Sequence, residues 1–122
     1  MREAYFPGRV PLDAYGNAGF RFADMSHHGS ILCLPSGIYS WEPQGPVPVL
    51  NDIDRILAEA DNIEILLVGT GEELHFLPQD IRKVLYTHHI IADSMNTGAA
   101  VRTFNVLLSE DRAVAAALFA VE

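Results

Sequence analysis

The sequence has little of what most readily betrays a function. It carries a single cysteine, Cys33, in 122 residues, so no internal disulfide can form, whereas secreted domains of this size more often have paired cysteines. Cys33 lies in the apolar run Ile31-Leu32-Cys33-Leu34 with no neighbouring charge to lower its pKa, which reads as a small buried hydrophobe and not as a catalytic thiol. Basic residues are few, 8 against 16 acidic ones, for a formal net charge of −8. They are scattered, and only Arg82 and Lys83 are adjacent. Such a chain repels phosphate backbones and anionic lipid surfaces, so no nucleic-acid partner is expected. No apolar stretch approaches the length that spans a bilayer, so no transmembrane segment is expected. The first ten residues mix charges with Pro7 and Gly8 and lack the apolar region of a signal peptide. Cytoplasm is the expected compartment. Nucleophile elbow, P-loop and dinucleotide fingerprint are all missing, as are His-x-x-x-His and paired-cysteine motifs. The adjacent pairs His27-His28 and His88-His89 diverge on a strand or a helix, and His75 stands alone, so neither a metal nor a cofactor is expected.

What is present is ordinary globular material, 49% hydrophobic and 20% charged, enough to bury a core and too apolar for a solvated coil. The length fits one domain spanning residues 1–122. Residues 1–18, punctuated by Pro7, Gly8, Pro11 and Gly16, read as an irregular lead-in. Phe20-Arg21-Phe22 alternates like a half-buried strand, 24–29 reads as a polar turn, and 30–34 as a second strand, together an antiparallel hairpin. Residues 38–41 could add a third strand. Pro43, Pro46 and Pro48 forbid a helix over 43–48 and allow only an edge strand.

The second half changes character. Asn51 is a candidate N-cap, with Asp52 and Asp54 in the first turn and Ile53, Ile56, Leu57 and Ala60 at helical spacing. Residues 63–68 form a nearly continuous apolar strand, as burial on both faces produces. Pro78 opens a helix carrying Ile81, Val84 and Leu85. A strand follows over 90–94, and Asn96 or Thr97 caps a helix with Ala100, Phe104, Leu107 and Leu108 inward. Residues 113–121 fit either a helix, by alanine propensity, or a short buried strand. Helix and strand alternating after residue 51 argue for parallel βαβ crossovers. The expectation is an α/β fold: a layered single domain whose mixed sheet combines parallel βαβ units with an N-terminal antiparallel hairpin. In particular, strands 63–68 and 90–94 should lie parallel, joined by the helix near 79–87.

Two blocks carry a resemblance. Ile65-Leu66-Leu67-Val68-Gly69-Thr70-Gly71 resembles a strand-plus-Gly-Thr-Gly signature, and residues 95–112, beginning Met95-Asn96-Thr97-Gly98, resemble a longer second block. The pattern is similar to the family of small α/β domains that includes mitochondrial complex I assembly factor 3 and uncharacterised bacterial and archaeal relatives, and it covers roughly residues 20–121. The resemblance implies a layered mixed sheet with a final strand over 114–119. It brings no catalytic residues. Where the family usually has Met-Asp-Thr, this chain has Asn96, and a common preceding Glu is Asp93. An amide does not ionise but caps a helix as well as a carboxylate does, which favours a structural role at that position.

The candidate site follows from topology. If the two strands are parallel, Gly69, Thr70 and Gly71 and the stretch Asp93, Asn96 and Thr97 leave the sheet at one edge, where α/β domains place ligands. Arg102 would add positive charge there, sharing a helix face with Gly98 and Asn105. For each residue a structural duty competes: a tight strand exit, a helix cap, Asn105 serving loop backbone, Arg102 paired with a carboxylate, and Glu110 and Arg112 tying the helix end to the next strand. Glu72 and Glu73 oppose a phosphate at the glycine loop. The leading functional reading is a non-catalytic assembly or interaction factor with a protein partner, its link to respiratory-complex or membrane-protein biogenesis coming from the resemblance. The rival is a small-molecule-binding protein or enzyme using that strand-end edge. A concave pocket joining these residues would favour the rival, and a flat edge with satisfied side chains the interaction role.

Overall fold

A computed structural model describes residues 5–122 of the protein. The elements in chain order are β1 (Tyr5–Pro7), β2 (Ala14–Gly16), β3 (Gly19–Phe22), β4 (Met25–His28), β5 (Ser30–Leu34), β6 (Gly37–Trp41), α1 (Asp54–Leu57), β7 (Ile65–Gly69), α2 (Gln79–Thr87), β8 (Ile91–Met95), α3 (Thr97–Ser109) and β9 (Val114–Leu118). Six strands form one mixed sheet in the order β1-β6-β5-β9-β7-β8, and β2-β3-β4 form a second, antiparallel one. β7 runs parallel to both β8 and β9, while β5 is antiparallel to β9 and β6. The expected parallel pair is therefore present, with α2 as its crossover.

The main sheet is covered on both sides, which explains its apolar runs. In β7, Leu66 and Val68 pack with Ile81 and Leu85 of α2 and Ile53 and Ile56 on one face. Leu67 packs on the other with Val101 and Phe104 of α3 and Phe20 and Phe22 of the small sheet. β9 alternates likewise: Ala115 and Ala117 face the first layer, Val114, Ala116 and Leu118 the second. A strand buried on both faces needs no polar residue. Every residue of β9 is buried, so the strand alternative holds over the helical one. The three alanines are the small residues that let two covering layers approach a central strand.

The N-terminal third departs from expectation. Residues 1–4 lie outside the described residues, but the remainder of the lead-in contains β1 and β2. The presumed turn over 24–29 contains β4, which is the real partner of β3. β5 pairs instead with β6, so the 20–34 hairpin does not form. Two tight turns account for the difference. Asn17 and Ala18, and then Ala23 and Asp24, have positive φ values of 53°, 63°, 50° and 62°. Two consecutive left-handed residues make the hairpin turn whose twist matches the strands it joins. Residues 43–48 form no strand. The helix expected after Asn51 is also broken. It begins as a 3₁₀ turn over Leu50–Ile53, continues as the single turn α1, and ends in a second 3₁₀ turn over Ala60–Asn62. Side chains capture its backbone: Trp41 Nε1 donates to the Asp52 carbonyl (2.9 Å), and the Asp52 carboxylate, not Asn51, accepts from Val49 N (2.8 Å).

Candidate functional site

The strand-end edge exists, and it is a knot. Thr70 N donates to the Met95 carbonyl (2.9 Å), and Thr97 N to the Gly71 carbonyl (2.8 Å), so the exits of β7 and β8 are neighbours. Thr97, fully buried, donates its hydroxyl to the Phe119 carbonyl (2.7 Å) and accepts from Gly71 N (3.0 Å). Thr70, also buried, donates to the Glu73 carbonyl (2.8 Å), has the Met95 carbonyl at 3.2 Å and accepts from His75 N (3.0 Å). A hydroxyl has one proton to give, and both are committed to backbone oxygens. Gly69 is required by close approach: a Cβ there would lie 2.9 Å from both Leu118 Cδ2 and Thr97 Cα. Gly71 has φ +96° and open space around it.

The remaining candidates are peripheral. Asn96 caps α3, its Oδ1 accepting from Ala99 N (2.8 Å). Asp93 is exposed on β8, paired across the ladder with Leu67. Arg102 is exposed on α3, and among the described residues it makes no ion pair, contrary to the expected carboxylate partner. The helix face it shares with Gly98 and Asn105 is filled by the chain's own N-terminal segment. Asn105 takes both backbone groups of Leu12, accepting from its N (2.9 Å) and donating to its carbonyl (2.8 Å). The Tyr15 hydroxyl occupies the space a side chain at position 98 would need. Arg112, half-buried at the far end, meets Glu64 at 3.5 Å, so it ties the end of α3 to the start of β7 and not, as expected, to the following strand with Glu110.

Titratable groups add little. Burial pushes the Cys33 thiol well above its ordinary value. His27 is buried in β4 while His28 is exposed, as alternation requires. Desolvation lowers the His27 pKa below its usual 6.5, opposed by a hydrogen bond with Ser30 backbone and assisted by the charge of His28. Among the described residues no three His, Cys, Asp or Glu side chains gather as metal ligands would.

A broad concavity lies elsewhere. A groove of about 750 Å³ runs between α2 and β8, lined by Leu77, Arg82, Lys83, Tyr86, Ile90 and Ala92 among others. None of the strand-end candidates lines it. Its helical wall, Gln79, Arg82, Lys83 and Tyr86, recurs at i, i+3, i+4 and i+7 and so occupies one face of α2. That periodic stripe was present in the sequence, masked by the stronger core stripe of Ile81 and Leu85.

Residues 12–119 match the family described as protein of unknown function, DUF498/DUF598. An uncharacterised protein of Rhodobacter capsulatus is 35% identical over 96% of this chain and 90% of its own. The mouse NADH dehydrogenase [ubiquinone] 1 alpha subcomplex assembly factor 3 is 26% identical over 97% of this chain, which spans only 64% of that protein. A crystal structure described as an outer membrane protein from Bartonella henselae is 67% identical, with a TM-score of 0.94 over 96% of this chain and 99% of that one.

Proposed function

The chain belongs to the DUF498/DUF598 family, and on that premise we propose that it is a non-catalytic assembly or interaction factor acting through a protein partner, linked to respiratory-complex or membrane-protein biogenesis. The observation that carries this reading is the commitment of both strand-end hydroxyls, Thr70 and Thr97, to backbone carbonyls. A nucleophilic hydroxyl gives its proton to a side-chain base, and a ligand donor gives it to the ligand; here both protons go to backbone carbonyls, which serve as neither, and hold three strand ends together. The assembly-factor relatives supply the biological context, although this chain spans 64% or less of the mouse and frog proteins. The cytoplasm is the proposed compartment, supported by the lone buried cysteine and the acidic balance. Both faces of the main sheet are taken up by helices and the small sheet, whereas a lipid-embedded sheet turns an apolar face outward.

The test is deletion of the gene in the source organism, with native gels of the respiratory complexes and cross-linking of a tagged copy. Accumulated subcomplexes, together with a cross-linked subunit or assembly component, are expected. Normal assembly with no cross-linked protein would sink the reading. A second reading, small-molecule binding or catalysis at the same edge, draws on the exposure of Asp93, Asn96 and Arg102 around the start of α3. Combining Thr70→Ala with Arg102→Ala separates the two. Lost small-molecule binding at unchanged stability favours the second reading. Lost stability that accounts for any lost binding confines these residues to the fold.

A further inference from the structure

The groove between α2 and β8 has the features of a docking site for one kind of polypeptide. β8 ends the main sheet. Ile91 N donates to the Glu64 carbonyl (2.9 Å) and the Met95 carbonyl accepts from Thr70 N, so Ile91, Asp93 and Met95 turn their backbone groups toward β7. Strand alternation then points the N–H and C=O of Ala92 and Ser94 away from the sheet, and among the described residues neither makes a loop or side-chain hydrogen bond. The opposite edge is β1, three residues ending in Pro7, a poor template. β8 has five residues and no proline.

Apolar surface and charge surround this open edge. Tyr86, on the groove wall, is 83% exposed, and Ile91, on β8, is 66% exposed. Arg82 and Lys83 are the charged residues lining the groove, and neither has an ion pair or side-chain hydrogen bond among the described residues. In a chain with a net charge of −8, two adjacent unpaired cations beside a free strand select a negatively charged occupant.

Resting on the interaction-factor reading, we infer that β8 accepts an extended segment of a partner protein as an additional strand. That strand would carry carboxylates flanking an apolar side chain on the face toward α2. An added strand lies about 4.8 Å outward, with alternate side chains on each face. One set would enter the groove, meeting Leu77 and Tyr86 with its apolar member and Arg82 and Lys83 with its carboxylates. The other set would lie beside Ile91 and Asp93 and must be uncharged or basic. A second copy of this chain fits worse, because symmetric antiparallel pairing centred on β8 sets Asp93 opposite its own counterpart, and like charges directly opposite destabilise.

The test pans a displayed library of random peptides against the protein and measures the enriched peptide by titration. Enriched peptides should place Asp or Glu at alternate positions around an apolar residue. Affinity should fall about tenfold or more in the double variant Arg82→Glu/Lys83→Glu, as expected when charges facing a partner are reversed. It should also fall in Ser94→Pro, which removes an outward N–H without touching the ladder to β7. If Ser94→Pro fails to fold, the charge-reversed variant carries the test, since both side chains are exposed. No enrichment, or affinity unchanged by charge reversal, overturns the proposal. A dimer in sedimentation that dissociates in Ser94→Pro overturns the choice of occupant. Native cross-links retained in both variants sink the groove and leave the interaction reading standing. Normal complex assembly in the deletion strain sinks that reading and leaves the peptide affinities as they are.

Discussion

At the scale of single residues, the strand-end knot makes the sharpest demands. Thr97→Val keeps the shape and removes the hydroxyl, leaving the Phe119 carbonyl without its donor and Gly71 N without its acceptor. An unmet buried polar group costs about 1–3 kcal/mol, so urea unfolding should show a loss of that order, and Thr97→Ser should recover most of it. Gly69→Ala drives a methyl against the Thr97 backbone. Backbone cannot swing aside, so a loss of about 1–3 kcal/mol is expected, as for other overpacked sites. His27 gives a pH dependence. The folded protein holds it neutral at pH values where the unfolded chain takes up a proton, because its folded pKa lies below the usual 6.5. Its contribution to stability is therefore full above about pH 6.5 and is lost as the pH falls through the folded pKa. Chemical denaturation across that interval should show declining stability in the wild type and a shallower decline in His27→Gln. An equal decline in both would assign the effect to other groups.

At the scale of elements, caps and turns decide the details. Asn96→Ala should destabilise by about 1 kcal/mol through loss of the α3 cap. Asn96→Asp should be neutral or slightly stabilising, because a carboxylate also accepts from Ala99 N and faces the positive helix end. Thermal melts of the two variants check both signs. The β7-α2-β8 unit was legible because its apolar spacing, Pro78 and strand run all agree. The small sheet was not. Its turns place Ala18, Ala23 and Asp24 in left-handed conformations that Asn-Gly or Asp-Gly would have announced, and β4 exposes two of its four residues, so its alternation is faint. The broken α1 region shows the converse. Its helical periodicity is real, and Ile53 and Ile56 are buried, but Trp41 and the Asp52 carboxylate divert its first turn.

At the scale of the whole molecule, β9 is the keystone. It stands between the antiparallel β1-β6-β5 half and the parallel β7-β8 pair, so neither half is continuous with the other until the last strand inserts. Ala116 is fully buried beneath α3 and the small sheet. Ala116→Leu should destabilise by about 1–3 kcal/mol from overpacking, and removal of residues 113–122 should replace the single cooperative transition with a broad one, read by circular dichroism.

Sequence alone determined the chemistry of this protein's limits and the layered pattern of its second half: the missing catalytic motifs, the acidic balance, the strands buried on both faces and the crossover helix. These are properties of composition and of short-range periodicity, which the local chain carries wherever it folds. For 113–121 that periodicity was ambiguous, and the family resemblance chose the strand. Only the tertiary structure decided which strands pair, that Thr70 and Thr97 commit their hydroxyls to backbone carbonyls, in the case of Thr97 one 22 residues away, and that β8 is left with an open edge beside Arg82 and Lys83. Those outcomes depend on which distant groups arrive within hydrogen-bonding reach, and no local pattern of residues encodes a distance between segments that meet only when the sheet closes.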